Sequence, residues 1–134
     1  MKKKILILED EIKRINFLKH QLRSRNLLKD VDIVWTISVE EFEIFIKFNK
    51  PDLIILDHDL GNSIFDLNGA NAACHLSDIN IPVVIWSMNL DGAKNISRIL
   101  TSKNIANILL PFSRINIPNI CKVIKNLINN YTPI

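Results

Sequence analysis

Titratable side chains follow two of the apolar runs in this sequence, at the points where buried strands would end. They are Glu9, Asp10, Asp57, His58 and Asp59. Carboxylates held close together repel one another, and the commonest relief is a hard divalent cation with oxygen ligands, such as Mg²⁺ where phosphate is also bound. Such a cluster suits phosphoryl transfer, in which the metal neutralises phosphate charge and a carboxylate acts as the nucleophile.

The elements that must position these side chains are short apolar runs alternating with amphipathic segments. Most of the runs are continuous, which is typical of strands buried on both faces of a parallel sheet. The predicted strands are ILIL (5–8), VDIVWTI (31–37), DLIIL (52–56), IPVVIW (81–86) and IANILL (105–110). The segments between them carry apolar residues every three or four positions, as helices do. The predicted helical faces are Ile12, Ile15, Leu18 and Leu22; Val39, Phe42 and Phe45; Ala70, Ala73 and Leu76; Ala93, Ile96, Ile99 and Leu100; and Ile120, Val123, Ile124, Leu127 and Ile128.

Five repeats of strand then helix predict the α/β class, as a doubly wound flavodoxin-like sheet with helices on both faces. No internal repeat or linker is present, so residues 1–134 are expected to form one domain. Ligands of such folds bind beyond the carboxyl ends of the strands, at the switch point. Ser87 and Asn89 follow the fourth strand, so a hydroxyl and an amide join the acids on one rim. The competing interpretation is that the acids only begin loops and cap helices.

Two other classes of phosphate-handling protein are excluded by the same residues. A nucleotide-binding α/β protein needs a glycine-rich turn after its first strand, where backbone N–H groups meet phosphate. This chain has EDEIKR there and three glycines in total, and an acidic turn repels phosphate unless a metal intervenes. The single His-Asp pair is too small a ligand set for a helical metal phosphohydrolase.

The composition is that of a globular protein in a reducing compartment. The chain is 48% hydrophobic and 23% charged, with a formal net charge of +3, so it can bury a core. No aromatic or arginine-rich stripe accompanies Lys2–Lys4, so nucleic-acid binding is not expected. No segment approaches the roughly 20 apolar residues of a membrane span and no signal peptide is present, so the protein is expected to be cytoplasmic. Cys74 and Cys121 lack metal-ligand spacing, so both are predicted to be buried free thiols.

The chain resembles the receiver (CheY-like) domains of two-component response regulators over essentially its whole length. Three stretches carry the resemblance. They are KKILILEDE, PDLIILD and IPVVIWS. The resemblance implies a five-stranded parallel sheet in the order 2-1-3-4-5, with Mg²⁺ bound by Glu9, Asp10 and Asp57. It also implies that Asp57 accepts a phosphoryl group from a histidine kinase or a small phosphodonor, that Ser87 binds this group and that the carbonyl of His58 contacts the metal. Receivers bind protein partners at the fourth helix, fifth strand and fifth helix, so a partner or a homodimer is implied there.

Two positions depart from the receiver pattern. Receivers carry a Lys before a Pro at the end of the fifth strand, and Leu110 occupies that place before Pro111. One counter-charge to the phosphoryl group is therefore missing. Asn107 stands where receivers place a switch aromatic residue, so the usual relay from the Ser87 hydroxyl lacks its second member. The Leu110–Pro111 bond is expected to be cis, as the corresponding bond is in receivers.

A narrower resemblance is to a divergent receiver-like group described as cyclic-phosphate-processing receivers. The stretches concerned are LDHDLG, NGANAACHL and WSMNLDGAKNISRIL. Trp86 stands where that group often has a His just before the Ser. The resemblance implies a metal-dependent hydrolase of cyclic phosphates, in which the loss of that His either disables this member or shifts the acid/base role to His58. Asp59, Ser87 and Asn89 would complete the pocket, and a nucleic-acid derivative would be a partner only as such a substrate.

Four residues of the rim have a structural interpretation beside the chemical one. His58 is either a general acid that titrates near neutral pH or a loop residue whose backbone alone matters. Asp59 is either an outer metal ligand or a turn residue, and Asn89 either donates to phosphate or begins the fourth helix. Trp86 either stacks on a base or, as we favour, fills the core.

These patterns lead to three hypotheses for function. The first is a stand-alone receiver that binds Mg²⁺ and accepts phosphate on Asp57 in phosphorelay signal transduction. The second is an enzyme that hydrolyses a cyclic phosphate with the same metal pocket. The third is a pseudo-receiver that acts only as a protein-binding module, which Leu110 and Asn107 favour.

Overall fold

Strands and helices alternate along the whole described part of the chain. The computed structural model describes residues 2–27, 29, 31–60, 67–77, 79–111 and 117–130. The elements in order are β1 (Lys3–Leu8), α1 (Ile12–Ser24), β2 (Val31–Thr36), α2 (Val39–Phe48), β3 (Leu53–Leu56), α3 (Gly69–His75), β4 (Val83–Ser87), α4 (Leu90–Ser102), β5 (Asn107–Pro111) and α5 (Ile117–Asn130). The five predicted strand–helix repeats are therefore confirmed.

The strands form one parallel sheet in the order β2-β1-β3-β4-β5. This order confirms the predicted doubly wound architecture, with the switch point between β1 and β3. Leu8 lies opposite Leu56 in the register of those two strands. The residues that follow them, Glu9 and Asp57, therefore emerge side by side at the carboxyl edge of the sheet.

Each face of the sheet carries its own hydrophobic core, because successive side chains of a strand point to opposite faces. Leu6 and Leu8 of β1 pack with the apolar faces of α2, α3 and α4. Ile5 and Ile7 pack with α1 and α5 on the other side. Burial on both faces explains why the central strands are continuously apolar rather than alternating.

The start of α2 and both cysteines lie among the described residues. The side chain of Ser38 caps α2 by accepting a hydrogen bond from the amide of Glu41 at 3.2 Å. Cys121 is a buried free thiol as predicted, but Cys74 is exposed. The prediction for Cys74 was wrong because α3 buries Ala72 and Ala73 and the next position turns away from the sheet.

Two further expectations concern the segment around β5 and the membrane. The structure contains no cis peptide bond among the described residues, so the expectation of a cis Leu110–Pro111 bond was wrong. Phe112, which follows β5, and Gly61, which follows Leu60, lie outside the described residues. None of the described helices has the length and apolar content needed to cross a membrane.

Candidate functional site

A cleft of about 520 Å³ opens at the carboxyl edge of the sheet, where β1, β3 and β4 end. Its polar wall consists of Asp10, Glu11, Arg14, Asp57, His58, Asp59 and Asn68. Its apolar rim consists of Leu60, Leu67 and Met88. The cleft thus lies at the switch point, where ligands of doubly wound sheets bind.

Three carboxylates meet beside this cleft, and two of them, Asp10 and Asp57, line it. Glu9 and Asp57 are 2% and 3% exposed, and together with the half-buried Asp10 they bring one oxygen each to within 4.8 Å of one another. Backbone hydrogen bonds of 3.0 Å from Glu9 to Thr36 and from Asp57 to Leu8 fix the first two residues to the sheet edge. An all-carboxylate donor set suits a hard cation such as Mg²⁺, so the residues present fit that metal.

Burial and mutual repulsion perturb the two inner carboxyl groups. Desolvation, followed by the charge of Asp57, raises the pKa of Glu9 from 4.5 to about 8. Desolvation also raises the pKa of Asp57, against the opposing effects of the Ser87 hydroxyl and the Arg14 charge. Despite the nearby Arg14 charge, the two groups therefore resist being ionised together.

Arg14 lies among these acids, and we did not identify it from the sequence. Its Nη1 atom is 3.1 Å from Oε1 of Glu9 and 3.2 Å from Oδ2 of Asp57, and its side chain is 15% exposed. Its Nε atom is 3.4 Å from Oε2 of Glu11 at the mouth of the cleft. The available signal was its place in the first turn of α1, which begins three residues after Glu9.

Ser87 ends β4 beside Asp57 and is 2% exposed. Its hydroxyl oxygen accepts a hydrogen bond from the amide of Asn89 at 3.1 Å. The same hydroxyl favours the ionised form of the Asp57 carboxyl group and so opposes the rise in its pKa. Ser87, the hydroxyl predicted to bind the phosphoryl group, is therefore next to Asp57, the predicted phosphoryl acceptor.

His58, Asp59 and Asn89 form a second polar group on the wall of the cleft. Nδ1 of His58 is 2.7 Å from Oδ1 of Asp59, and Nδ2 of Asn89 donates to the same oxygen at 3.0 Å. These two hydrogen bonds lower the pKa of Asp59. The imidazole is thus held in one orientation by its neighbours, and its side chain is 16% exposed.

Two glycines permit the close packing behind this group. A Cβ on Gly92 would overlap the imidazole of His58, and a Cβ on Gly69 would overlap the carbonyl oxygen of Asp57. The amide of Gly69 donates to the carbonyl of His58 at 2.9 Å. That carbonyl, which the resemblance assigns to the metal, therefore already accepts one hydrogen bond. Asn89 accepts from the amide of Gly92 at 2.8 Å, so Asn89 does cap α4.

The positions that depart from the receiver pattern are occupied by well-packed side chains. Leu110 is half-buried against the core that contains Trp86. The amide group of Asn107 accepts from the hydroxyl of Ser97 at 2.6 Å and donates to that of Thr101 at 3.1 Å. Asn107, which stands where receivers place a switch aromatic residue, is therefore hydrogen-bonded to α4.

Trp86 fills the core, as favoured. Its side chain is 1% exposed and packs with residues of α1 and α5. The alternative role, stacking on a base, was wrong because β4 directs Trp86 to the face opposite the one that packs against α4.

In the absence of divalent metal, the thermal stability of the protein is expected to fall as pH rises from 4.5 to about 8. The pKa of Glu9 is raised across this window, so the folded protein keeps a proton that the unfolded chain has lost. The contribution of protonated Glu9 to the stability of the fold is fully present below pH 4.5 and is lost as pH rises through about 8. Melting curves in EDTA across this range test it. Glu9→Gln should flatten this pH dependence. Glu11→Gln, which changes an exposed acid, should leave the pH dependence as it is in the wild type. An unchanged slope in Glu9→Gln would contradict the attribution of the pH dependence to Glu9.

Comparison with protein-family models and with curated proteins finds no match to this sequence. Solved structures of receiver domains are similar to it in fold. The Francisella response regulator 1452 receiver domain is 24% identical with a TM-score of 0.70, covering 97% of this chain and 99% of that one. The phosphorylated cyanobacterial phytochrome response regulator RcpA is 18% identical with a TM-score of 0.71, covering 98% and 94%. A CheY-like receiver domain protein from Methanospirillum hungatei is 15% identical with a TM-score of 0.71, covering 98% and 97%.

These likenesses extend over nearly all of each chain. The chain therefore has the fold of response regulator receiver domains, with a buried acidic cluster at the carboxyl edge of its sheet.

Proposed function

We propose that this protein accepts a phosphoryl group on Asp57, with Mg²⁺ held by Glu9, Asp10 and Asp57, as a receiver in two-component signalling. The observation that carries the proposal is the meeting of three carboxylates within 4.8 Å at the edge of the sheet where Ser87 also ends β4. Burying Glu9 and Asp57 together is unfavourable because their charges repel, and Arg14 offsets this only in part, since the pKa of Glu9 stays raised to about 8.

The chain's own residues prepare Asp57 for in-line attack on phosphorus. Oδ1 of Asp57 accepts a hydrogen bond from the amide of His58 at 2.8 Å, which fixes the direction of the carboxylate. A carboxylate oxygen forms the new bond to phosphorus as the bond to the donor's leaving group breaks. The Ser87 hydroxyl is placed to donate to a phosphoryl oxygen. When bound, the metal would neutralise charge on the phosphoryl oxygens.

The phosphoryl donor would be a histidine kinase or a small phosphodonor. The proposed partner surface is the face formed by α4, β5 and α5, where Ile108 is 40% exposed, and a homodimer would use the same face. Because Asn107 is hydrogen-bonded to α4, a change at Ser87 would have to reach that face without an aromatic switch.

The decisive test is an intact-mass measurement after incubation with MgCl₂ and a small phosphodonor such as acetyl phosphate. A single phosphoryl adduct that forms with MgCl₂ and does not form in EDTA is the expected result. If no adduct forms under either condition, the phosphoryl-acceptor proposal is wrong. Two hypotheses would then remain: a pseudo-receiver that only binds partners, and a hydrolase of cyclic phosphates.

The second candidate function is hydrolysis of a cyclic phosphate in the same cleft. The observation that favours it is the hydrogen-bonded group of His58, Asp59 and Asn89, since an imidazole oriented by a carboxylate is a usual general acid or base. A receiver that only accepts phosphate has no use for such a pair. The apolar rim of Leu60, Leu67 and Met88 offers a contact surface for the organic part of such a substrate.

His58→Ala is expected to separate the two candidate functions. It should leave the metal-dependent adduct intact, because the Asp57 carboxylate contacts only the backbone amide of His58. If the protein hydrolyses a 2′,3′-cyclic nucleotide, the same variant should lower the rate by a factor of about 10² or more, the usual contribution of a positioned acid/base. Asp59→Asn should lower it less, because the imidazole remains. Turnover that persists unchanged in His58→Ala would remove His58 from the mechanism.

A further inference from the structure

We infer that Arg14 is a built-in cation that occupies the carboxylate cluster in the metal-free protein and must leave it when a divalent ion binds. The inference rests on the proposed function, because it takes Glu9, Asp10 and Asp57 as the metal-binding group. It makes Arg14 a determinant of how much free metal the protein needs before it is loaded.

The guanidinium contacts the oxygens that a metal would require. One nitrogen, Nη1, lies 3.1 Å from Oε1 of Glu9 and 3.2 Å from Oδ2 of Asp57. These two residues belong, with Asp10, to the group whose oxygens approach within 4.8 Å of one another. A guanidinium and a metal ion at van der Waals distance would repel each other as like charges, so the two states exclude one another.

The surroundings of Arg14 let it leave without disturbing the fold. Its side chain lines the open cleft and is 15% exposed, so it has a path towards solvent. Its Nε atom already lies 3.4 Å from Oε2 of Glu11, whose side chain is 52% exposed at the mouth of the cleft. Glu11 therefore offers an alternative anion once Glu9 and Asp57 are taken by a metal.

The cost of displacement sets the direction of the effect. The pairing of Arg14 with Asp57, supported by its hydrogen bond to Glu9, involves two nearly fully buried carboxyl groups. It is stronger than a pairing with an exposed carboxylate, because water screens the second more. Metal binding must exchange the stronger pairing for the weaker one. The apparent metal affinity is therefore lower than the carboxylate cluster alone would give.

The test is calorimetric titration of the full chain with MgCl₂ at constant ionic strength. Arg14→Met is expected to bind Mg²⁺ on the order of tenfold more tightly than the wild type, the factor that one charge-assisted hydrogen bond represents. The variant should melt at a lower temperature in EDTA and gain more from added MgCl₂. The matched control is Lys13→Met, which removes the same charge at the neighbouring, exposed position of α1 and should change the affinity little.

Arg14→Lys provides a second variant in case Arg14→Met does not fold. It keeps the charge but shortens the reach, so its affinity should fall between those of the wild type and the Met variant. Equal affinity of the wild type and both Arg14 variants would overturn the inference while leaving the metal site standing. An equal gain in Lys13→Met would overturn it too, since long-range charge would then be the cause. If neither the wild type nor any variant binds Mg²⁺, the inference and the metal part of the proposed function both fail.

Discussion

Replacing Asp57 by Asn is expected to abolish the phosphoryl adduct completely. An amide has the shape of the carboxylate but lacks the anionic oxygen that would attack phosphorus. The fold should persist, because two effects of the change oppose each other. Loss of the Asp57 charge relieves repulsion with Glu9 but removes one partner of Arg14, so the free energy of unfolding should change by less than about 1 kcal/mol.

Intact mass after treatment with phosphodonor and MgCl₂ measures the loss directly. Asp59→Asn is the matched control, since it removes a carboxylate two residues away whose side chain is 68% exposed. This control should be phosphorylated as the wild type is. An adduct of undiminished yield on Asp57→Asn would place the acceptor elsewhere, with Asp10 and His58 as the next candidates on the cleft wall.

Gly69→Ala is expected to lower the free energy of unfolding by about 3 kcal/mol, near the upper end of what an inserted methyl group costs in a packed site. Gly69 begins α3 and is buried. Its added Cβ would overlap the carbonyl oxygen of Asp57 and lie 2.9 Å from both the carbonyl carbon of Asp57 and Cδ1 of Ile96. Because the first of these neighbours is backbone at the end of a central strand, it cannot rotate away.

Urea denaturation of the wild type and the variant gives this difference. The comparison variant is Gly92→Ala, in the first turn of α4, whose Cβ would meet the imidazole of His58. The imidazole can turn aside by giving up its hydrogen bond to Asp59, so this change should cost only about 1 kcal/mol. A loss below about 0.5 kcal/mol in Gly69→Ala would show that the loop after β3 gives way easily and that the Asp57 backbone is not rigidly placed.

The sequence by itself determined the fold. Continuous apolar runs and three-to-four spacing specify which segments bury both faces and which bury one. Since strand-to-helix connections are short and right-handed, five such repeats leave few arrangements open. The carboxyl ends of the strands then fall on one edge, which is why the positions of Glu9, Asp57 and Ser87 along the chain are enough to group them.

Only the tertiary structure decided how the side chains around that edge are paired. Arg14 contacts Asp57 across 43 positions of sequence, and Asn89 reaches Asp59 across 30. Such contacts depend on how far each helix is rotated and how closely it packs on the sheet, and periodicity does not fix either. The same holds for Trp86, because apolar content alone does not tell which face of a doubly covered strand a side chain occupies. Tertiary packing therefore placed an internal cation among the acids that the order of strands and helices brings together.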